Sequence, residues 1–174
     1  GGVTFSGGEP LMQADMLIKT LEECGRLDIH RTVDTTAFSD IDTLLKVAEH
    51  TDLFLIDLKL IDKEKHEHYT GVDNTLILGN IKALAKHGSS IIIRIPLIPG
   101  INDDENNLRG SAKFLKTLPG NITVEILPYH NTARTKYKKL GRNYPGKNIP
   151  ASSPETVKKN IALLSEYGLS VKAG

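Results

Sequence analysis

An open parallel α/β sheet, part of a TIM-type barrel, is the fold class this sequence predicts, and three observations carry it. Short apolar strand candidates alternate about five times with amphipathic helix candidates. The connections are too long for hairpins and each holds a helix, which implies right-handed crossovers between parallel strands. The polar residues that interrupt the pattern fall at strand ends, where parallel sheets gather their ligand-binding groups. Closing an eight-stranded barrel takes about 250 residues, so a sheet of five units stays open.

The first strand candidate is Val3-Thr4-Phe5, β-branched and aromatic, stopped by Gly7, Gly8, Glu9 and Pro10. Glycines at a strand exit let the backbone approach a ligand with no Cβ in the way. Residues 11–24 then read as a helix with Met16, Leu17, Leu21 and Cys24 at helical spacing, and Gly25 as its breaker. Cys24 reads as a small core residue. Residues 29–33 form the second strand, ending in Asp34-Thr35-Thr36, and Ser39 or Asp40 caps the next helix. Leu53-Phe54-Leu55-Ile56 is an unbroken apolar run, expected to be buried on both faces, and it exits into Asp57-Leu58-Lys59.

Residues 62–69 follow as one or two polar helical turns, in which His66 and His68 are expected to face solvent. After Thr70-Gly71, Asn74 or Thr75 starts a helix with Leu76, Ile77, Ile81, Leu84 and Ala85 inward, and Gly88 stops it. Residues 91–95 are the strongest strand, with Arg94 its one charge, followed by a Pro96-to-Gly100 loop. Arg94 either reaches the site or pairs with a carboxylate such as Glu125. Asn102 or Asp103 caps the next helix. Residues 123–127 are a strand leaving through Pro128-Tyr129-His130, Ser153 caps a final helix, and Leu169-Ser170-Val171 adds a last short strand.

The chain has 174 residues, 39% apolar content and a net charge of +1, enough for a real core in one domain over 1–174. That charge favours neither nucleic acid nor its absence. Arg134, Lys136, Lys138, Lys139, Arg142 and Lys147, with Tyr137 and Tyr144 between them, accompany no nucleic-acid module. A protein docking surface is the better functional reading, and no nucleic-acid or membrane partner is expected. With no segment long enough to span a bilayer, a cytoplasmic location is the default. One cysteine excludes an internal disulfide and any cysteine-rich metal site.

Gly1-Gly2-Val3-Thr4-Phe5-Ser6-Gly7-Gly8-Glu9-Pro10-Leu11 resembles the second strand and loop of radical S-adenosylmethionine enzymes, above all the activating enzymes of glycyl-radical enzymes such as pyruvate formate-lyase. The resemblance recurs in order at Val33-Asp34-Thr35-Thr36, Leu55-Ile56-Asp57-Leu58-Lys59, Tyr69-Thr70-Gly71, Arg94-Ile95-Pro96-Leu97-Ile98-Pro99-Gly100 and Leu127-Pro128-Tyr129-His130. It implies a partial barrel of six βα units. It also implies reductive cleavage of S-adenosylmethionine, giving a radical that takes hydrogen from a glycine of a partner enzyme in an anaerobic cytoplasm. Flavodoxin or ferredoxin would donate the electron. Such enzymes hold a [4Fe–4S] cluster on C-x3-C-x2-C ahead of the Gly-Gly-Glu strand, a motif missing here. The sequence is therefore expected to be a C-terminal piece lacking the first unit, with no catalytic residue of its own.

The expected ligand-binding residues are Gly7, Gly8, Glu9, Asp34, Lys59, Arg94 and His130. The Gly7–Glu9 backbone carbonyls and Asp34 suit an ammonium, Lys59 a carboxylate, and the ring of His130 an adenine. The resemblance further implies that Asp34, Thr35 and Asp57 hold a monovalent cation. Two other classes are a Schiff-base aldolase built on Lys59 and a non-catalytic module that binds a partner through the basic stretch.

Overall fold

The computed structural model describes residues 1–130, 137, 139, 141, 143, 146 and 148–174. Its centre is a single sheet of six parallel strands, β1 (Gly2–Phe5), β2 (His30–Thr35), β3 (Leu53–Asp57), β4 (Ile91–Leu97), β5 (Thr123–Pro128) and β6 (Ser170–Ala173), in the order of the chain. The helices are α1 (Ala14–Arg26), α2 (Ile41–Ala48), α3 (Lys63–Thr70), α4 (Thr75–His87), α5 (Glu105–Lys116) and α6 (Pro154–Ser165). The sheet is open, with β1 and β6 at its edges, as the sequence predicts, and the last short strand is a full sixth member.

The core lies on one face of the sheet. Phe54 and Ile56 of β3, Ile91, Ile93, Ile95 and Leu97 of β4, and Val124 and Ile126 of β5 join one buried cluster with Leu21, Leu44, Ile81, Leu84, Leu108 and Leu164 from the helices. The alternate residues Leu55, Asp57, Ile92, Arg94, Glu125 and Leu127 are half-buried on the opposite face. The apolar run of β3 is thus fully buried on the helix side only, because an open sheet leaves its inner face partly wet.

Several boundaries differ from expectation, each for a local reason. Residues 10–13 form a separate 3-10 turn before α1. Gly25 lies inside α1, where a Cβ would stand 2.5 Å from Arg31 Nη1, so its lack of a side chain makes room for that guanidinium. Leu76 is partly exposed, not inward. Pro96 belongs to β4: beyond the Asp57–Arg94 pairing β3 has ended, so the missing N–H lies where β4 has no partner on that side. Asp104, one residue past the expected Asp103, caps α5 through Asn107 N, while Asp40 caps α2 through Thr43 N as expected. His66 is 4% exposed, its Nδ1 2.7 Å from Val72 O and 3.0 Å from Thr70 Oγ1. It anchors the α3 exit and does not face solvent; His68 alone stays outside, edge-on to Tyr69.

Candidate ligand-binding face

All six parallel strands exit on one edge of the sheet, and polar side chains from β1 to β4 and their exits meet there. At the β1 exit, Gly7 (φ +90°) and Gly8 (φ +59°) adopt left-handed backbone, and a Cβ on either would meet nothing within 4 Å. The loop backbone is therefore open to a ligand. The Glu9 side chain turns away from that role. Its Oε1 accepts from Leu11 N (3.2 Å) and Thr35 Oγ1 (2.5 Å), and its Oε2 from Thr36 N (2.9 Å) and Thr36 Oγ1 (2.5 Å). Glu9 thus ties the β1 exit to the β2 exit and leaves the ligand only its backbone.

Next along the edge is a charged group built by register. Asp57 and Arg94 are partners across β3 and β4, and Asp34 pairs with Leu55, two residues before Asp57. Side chains two apart on a strand share a face, so Asp34 and Asp57 converge on one guanidinium. Arg94 Nε and Nη2 donate to Asp57 Oδ1 at 3.1 and 2.8 Å. Its Nη1 donates to Asp34 Oδ2 at 3.2 Å, and Nη2 also donates to Asp34 Oδ1. Burial works against the Arg94 charge, but Asp57 and Asp34 outweigh it and raise its pKa above the ordinary value. Lys59 Nζ lies 3.9 Å from Asp57 Oδ2 and is more exposed, at 37%, than Arg94 at 17%. Glu125 binds Lys172 at 2.9 Å, not Arg94.

Of the expected site residues, Asp34, Asp57, Lys59 and Arg94 form one contact group, and Gly7, Gly8, Glu9 and Thr35 adjoin it. His130 stands exposed at the β5 exit, two strands from Asp57. The basic stretch falls mostly outside the described residues: Arg134, Lys136, Lys138, Arg142, Tyr144 and Lys147 all do, while Lys139 is exposed.

Sequence reasoning missed two features. Ser6 Oγ donates to Asp34 Oδ2 at 3.1 Å. Four buried asparagines hold the exit loops: Asn80 donates to Ala37 O and Ser39 O, Asn74 to Leu60 O and Ile61 O, and Asn102 to Lys59 O and Pro96 O, while Asn107 accepts from Ile61 N and donates to Asn102 O. Asparagine offers donors and an acceptor on one short arm. Its usual reading as a turn or cap residue hides that role in a bare sequence.

The residues do not fit an iron–sulfur cluster. Cys24 is the one cysteine and sits half-buried on α1, and no cluster of three metal-ligating side chains occurs among the described residues. They do fit a small zwitterion, with open backbone at Gly7–Gly8 and an ammonium-bearing side chain, Lys59, on the same edge.

An open parallel sheet with charged strand exits defines a partial-barrel α/β domain. The sequence model of the Radical SAM superfamily matches residues 1–109, and the chain belongs to that superfamily. It is 40% identical, over its whole length, to the trans-4-hydroxy-L-proline dehydratase activating enzyme of Clostridioides difficile, of which the match covers 58%. It is 37% identical to the choline trimethylamine-lyase activating enzyme of Oleidesulfovibrio alaskensis, over 98% of this chain and 56% of that protein. The chain therefore spans a little over half the length of these curated relatives. The crystal structure of a domain of pyruvate-formate lyase-activating enzyme from Bacteroides vulgatus superposes with a TM-score of 0.86 at 39% identity, covering 100% of this chain and 99% of that one.

Proposed function

We propose that this chain is the S-adenosylmethionine-binding part of an activating enzyme that installs a glycyl radical on a partner enzyme, as a single partial-barrel domain over residues 1–174. The observation that carries the reading is the convergence of Asp34, Asp57 and Lys59 beside the open Gly7–Gly8 backbone, on the edge where parallel barrels bind ligands. The relatives' names, each an activating enzyme for a lyase or dehydratase, support the class of partner.

S-adenosylmethionine supplies the reactive sulfonium, and the chain's own residues bind and orient it. Backbone carbonyls of residues 7–9 accept from the ligand ammonium, and Asp34, its oxygens already taken by Arg94 and Ser6, adds negative charge beside it. Lys59 meets its carboxylate, and Asp57 at 3.9 Å steadies that side chain. Asn102, bonded to Lys59 O at 2.8 Å, fixes the backbone from which Lys59 projects. His130 stacks on the adenine. Radical formation needs a [4Fe–4S] cluster that these residues do not fit, so the chain's part is recognition. The electron comes from a flavodoxin or ferredoxin in an anaerobic cytoplasm. No helix among the described residues is long and apolar enough to cross a membrane. A Schiff-base role for Lys59 is disfavoured, because that chemistry needs a desolvated lysine and Lys59 is 37% exposed beside a carboxylate.

Titration of S-adenosylmethionine, followed by amide NMR, is expected to shift the signals of Gly7, Gly8, Asp34 and Lys59 saturably. Shifts elsewhere, or none, would overturn the reading. A charge-assisted hydrogen bond on a part-exposed lysine contributes roughly 1.5 kcal/mol, so Lys59→Met should weaken binding about tenfold. Unchanged affinity would reduce Lys59 to an ordinary partner of Asp57.

A further inference from the structure

Two carboxylates on neighbouring strands, both under a quarter exposed, repel each other unless a cation lies between them. An alkali ion could fill that place only with several free oxygens and an excess of negative charge around it. Neither condition holds here. Both oxygens of Asp34 accept from Arg94, and Oδ2 also accepts from Ser6. Asp57 Oδ1 takes two Arg94 donors, and Oδ2 faces Lys59. Thr35 Oγ1 donates to Glu9 and accepts from Ala37 N at 2.9 Å. Every side chain expected to ligate a monovalent cation is thus already engaged, and the two carboxylates are matched by two side-chain cations.

We infer that Arg94 is the built-in counter-cation of the Asp34–Asp57 pair, so this face is complete without an alkali ion and Arg94 is a positioning residue. Arginine suits the task because its planar fork presents several donors in fixed directions, and three of its nitrogens bridge two strands at once. A lysine, a single point charge, could not span both carboxylates in that way. Lys59 is then the cation left open to an anionic ligand group. That last assignment rests on the ligand reading above; the charge balance does not.

The test contains no S-adenosylmethionine, so its failure and a failed ligand titration are distinguishable. Thermal melts of the unmodified chain should agree within about 1 °C in potassium, sodium and tetramethylammonium chloride at equal ionic strength. Arg94→Gln removes the bridge between two part-buried carboxylates and should lower the midpoint by roughly 5 °C or more in tetramethylammonium. Potassium or sodium should then restore part of that loss. Arg94→Lys should fall between the two. Saturable stabilisation of the unmodified chain by potassium or sodium, by several degrees, would overturn the inference. So would an Arg94→Gln chain that melts like the unmodified one in all three salts. Should Arg94→Gln fail to fold, sodium-23 NMR on the unmodified chain decides alone: no saturable line broadening is expected, and broadening displaced by potassium would refute the inference.

Discussion

Glu9 shows how a single side chain can hold two strand exits together. Its carboxylate accepts four hydrogen bonds from Leu11, Thr35 and Thr36, so both exit loops are pinned by one residue. Glutamine has the same shape, but its amide nitrogen must face N–H and O–H donors, leaving groups unsatisfied. Such a mismatch costs roughly 1–3 kcal/mol. Glu9→Gln should therefore lower stability to urea by that amount, and a change under about 0.5 kcal/mol would mean that the two loops are held by other contacts. A second residue-scale device lies at the opposite end of the strands. Arg31 donates to Asp52 from its backbone N (2.7 Å), Nε (2.9 Å) and Nη2 (2.7 Å), and these hydrogen bonds hold the Asp52 pKa at about 2. A depressed carboxylate stabilises the fold fully above its unfolded value, near 3.9, and loses that contribution as pH falls through about 2. Asp52 is a third exposed, so screening limits the effect to on the order of 1 kcal/mol. The stability gap between the unmodified chain and Asp52→Asn should be constant above about pH 5 and close towards pH 2. A gap that stays level to pH 2 would remove Asp52 from the acid response.

Among the elements, β1 is the exposed one. It pairs with β2 alone, and its other side presents backbone N–H and C=O groups beside a groove lined by Phe5, Met16 and Leu17. An unpaired parallel edge with an apolar flank recruits further strands. The chain should self-associate at tens of micromolar in sedimentation velocity. Thr4→Lys, which adds a charge on an exposed edge position, should reduce that association. A unimodified chain that sediments as a monomer throughout would show that the edge is protected. The helices divide by how they are held. α5 buries Leu108, Ala112 and Leu115 on one face, whereas α3 has little apolar surface and depends on Asp62 at its start and on His66 and Gly71 at its end. His66 could not be told from His68 in the sequence, because two histidines in a charged helix differ only in which face the chain turns inward.

For the whole molecule, cluster binding is the sharpest measurement. A [4Fe–4S] cluster needs several thiolates, and the 174-residue chain has Cys24 alone. Anaerobic reconstitution with iron and sulfide should give no stoichiometric cluster absorption, and a full complement would require ligands of another kind. Strand identity and order were legible because apolar runs such as Ile91-Ile92-Ile93 and the capping residues Asp40 and Ser153 each point to one local structure. That Asp34, Asp57 and Lys59 gather on one edge was legible, since charges at strand exits have no part in a core. The partners were not. That Arg94 joins Asp57 and Asp34, while Glu125 joins Lys172, depends on register across several strands, which no local pattern encodes. The division of labour in Glu9, backbone open and side chain spent, depends likewise on Thr35 and Thr36 arriving from 26 and 27 residues away.

A sheet that runs 1-2-3-4-5-6 also has a history written into it. Each strand is bonded only to the strand made just before it and the one made just after. On the ribosome, a βα unit leaving the exit tunnel meets a finished partner already waiting. No strand waits for a neighbour further along the chain than the next strand, as it would in a sheet whose order jumps back and forth. Contacts of short sequence separation close quickly, and chains tend to fold from their N-terminal side as they are made. The growing edge is then always the newest strand, and the molecule can assemble as a staircase is built, one tread resting on the last.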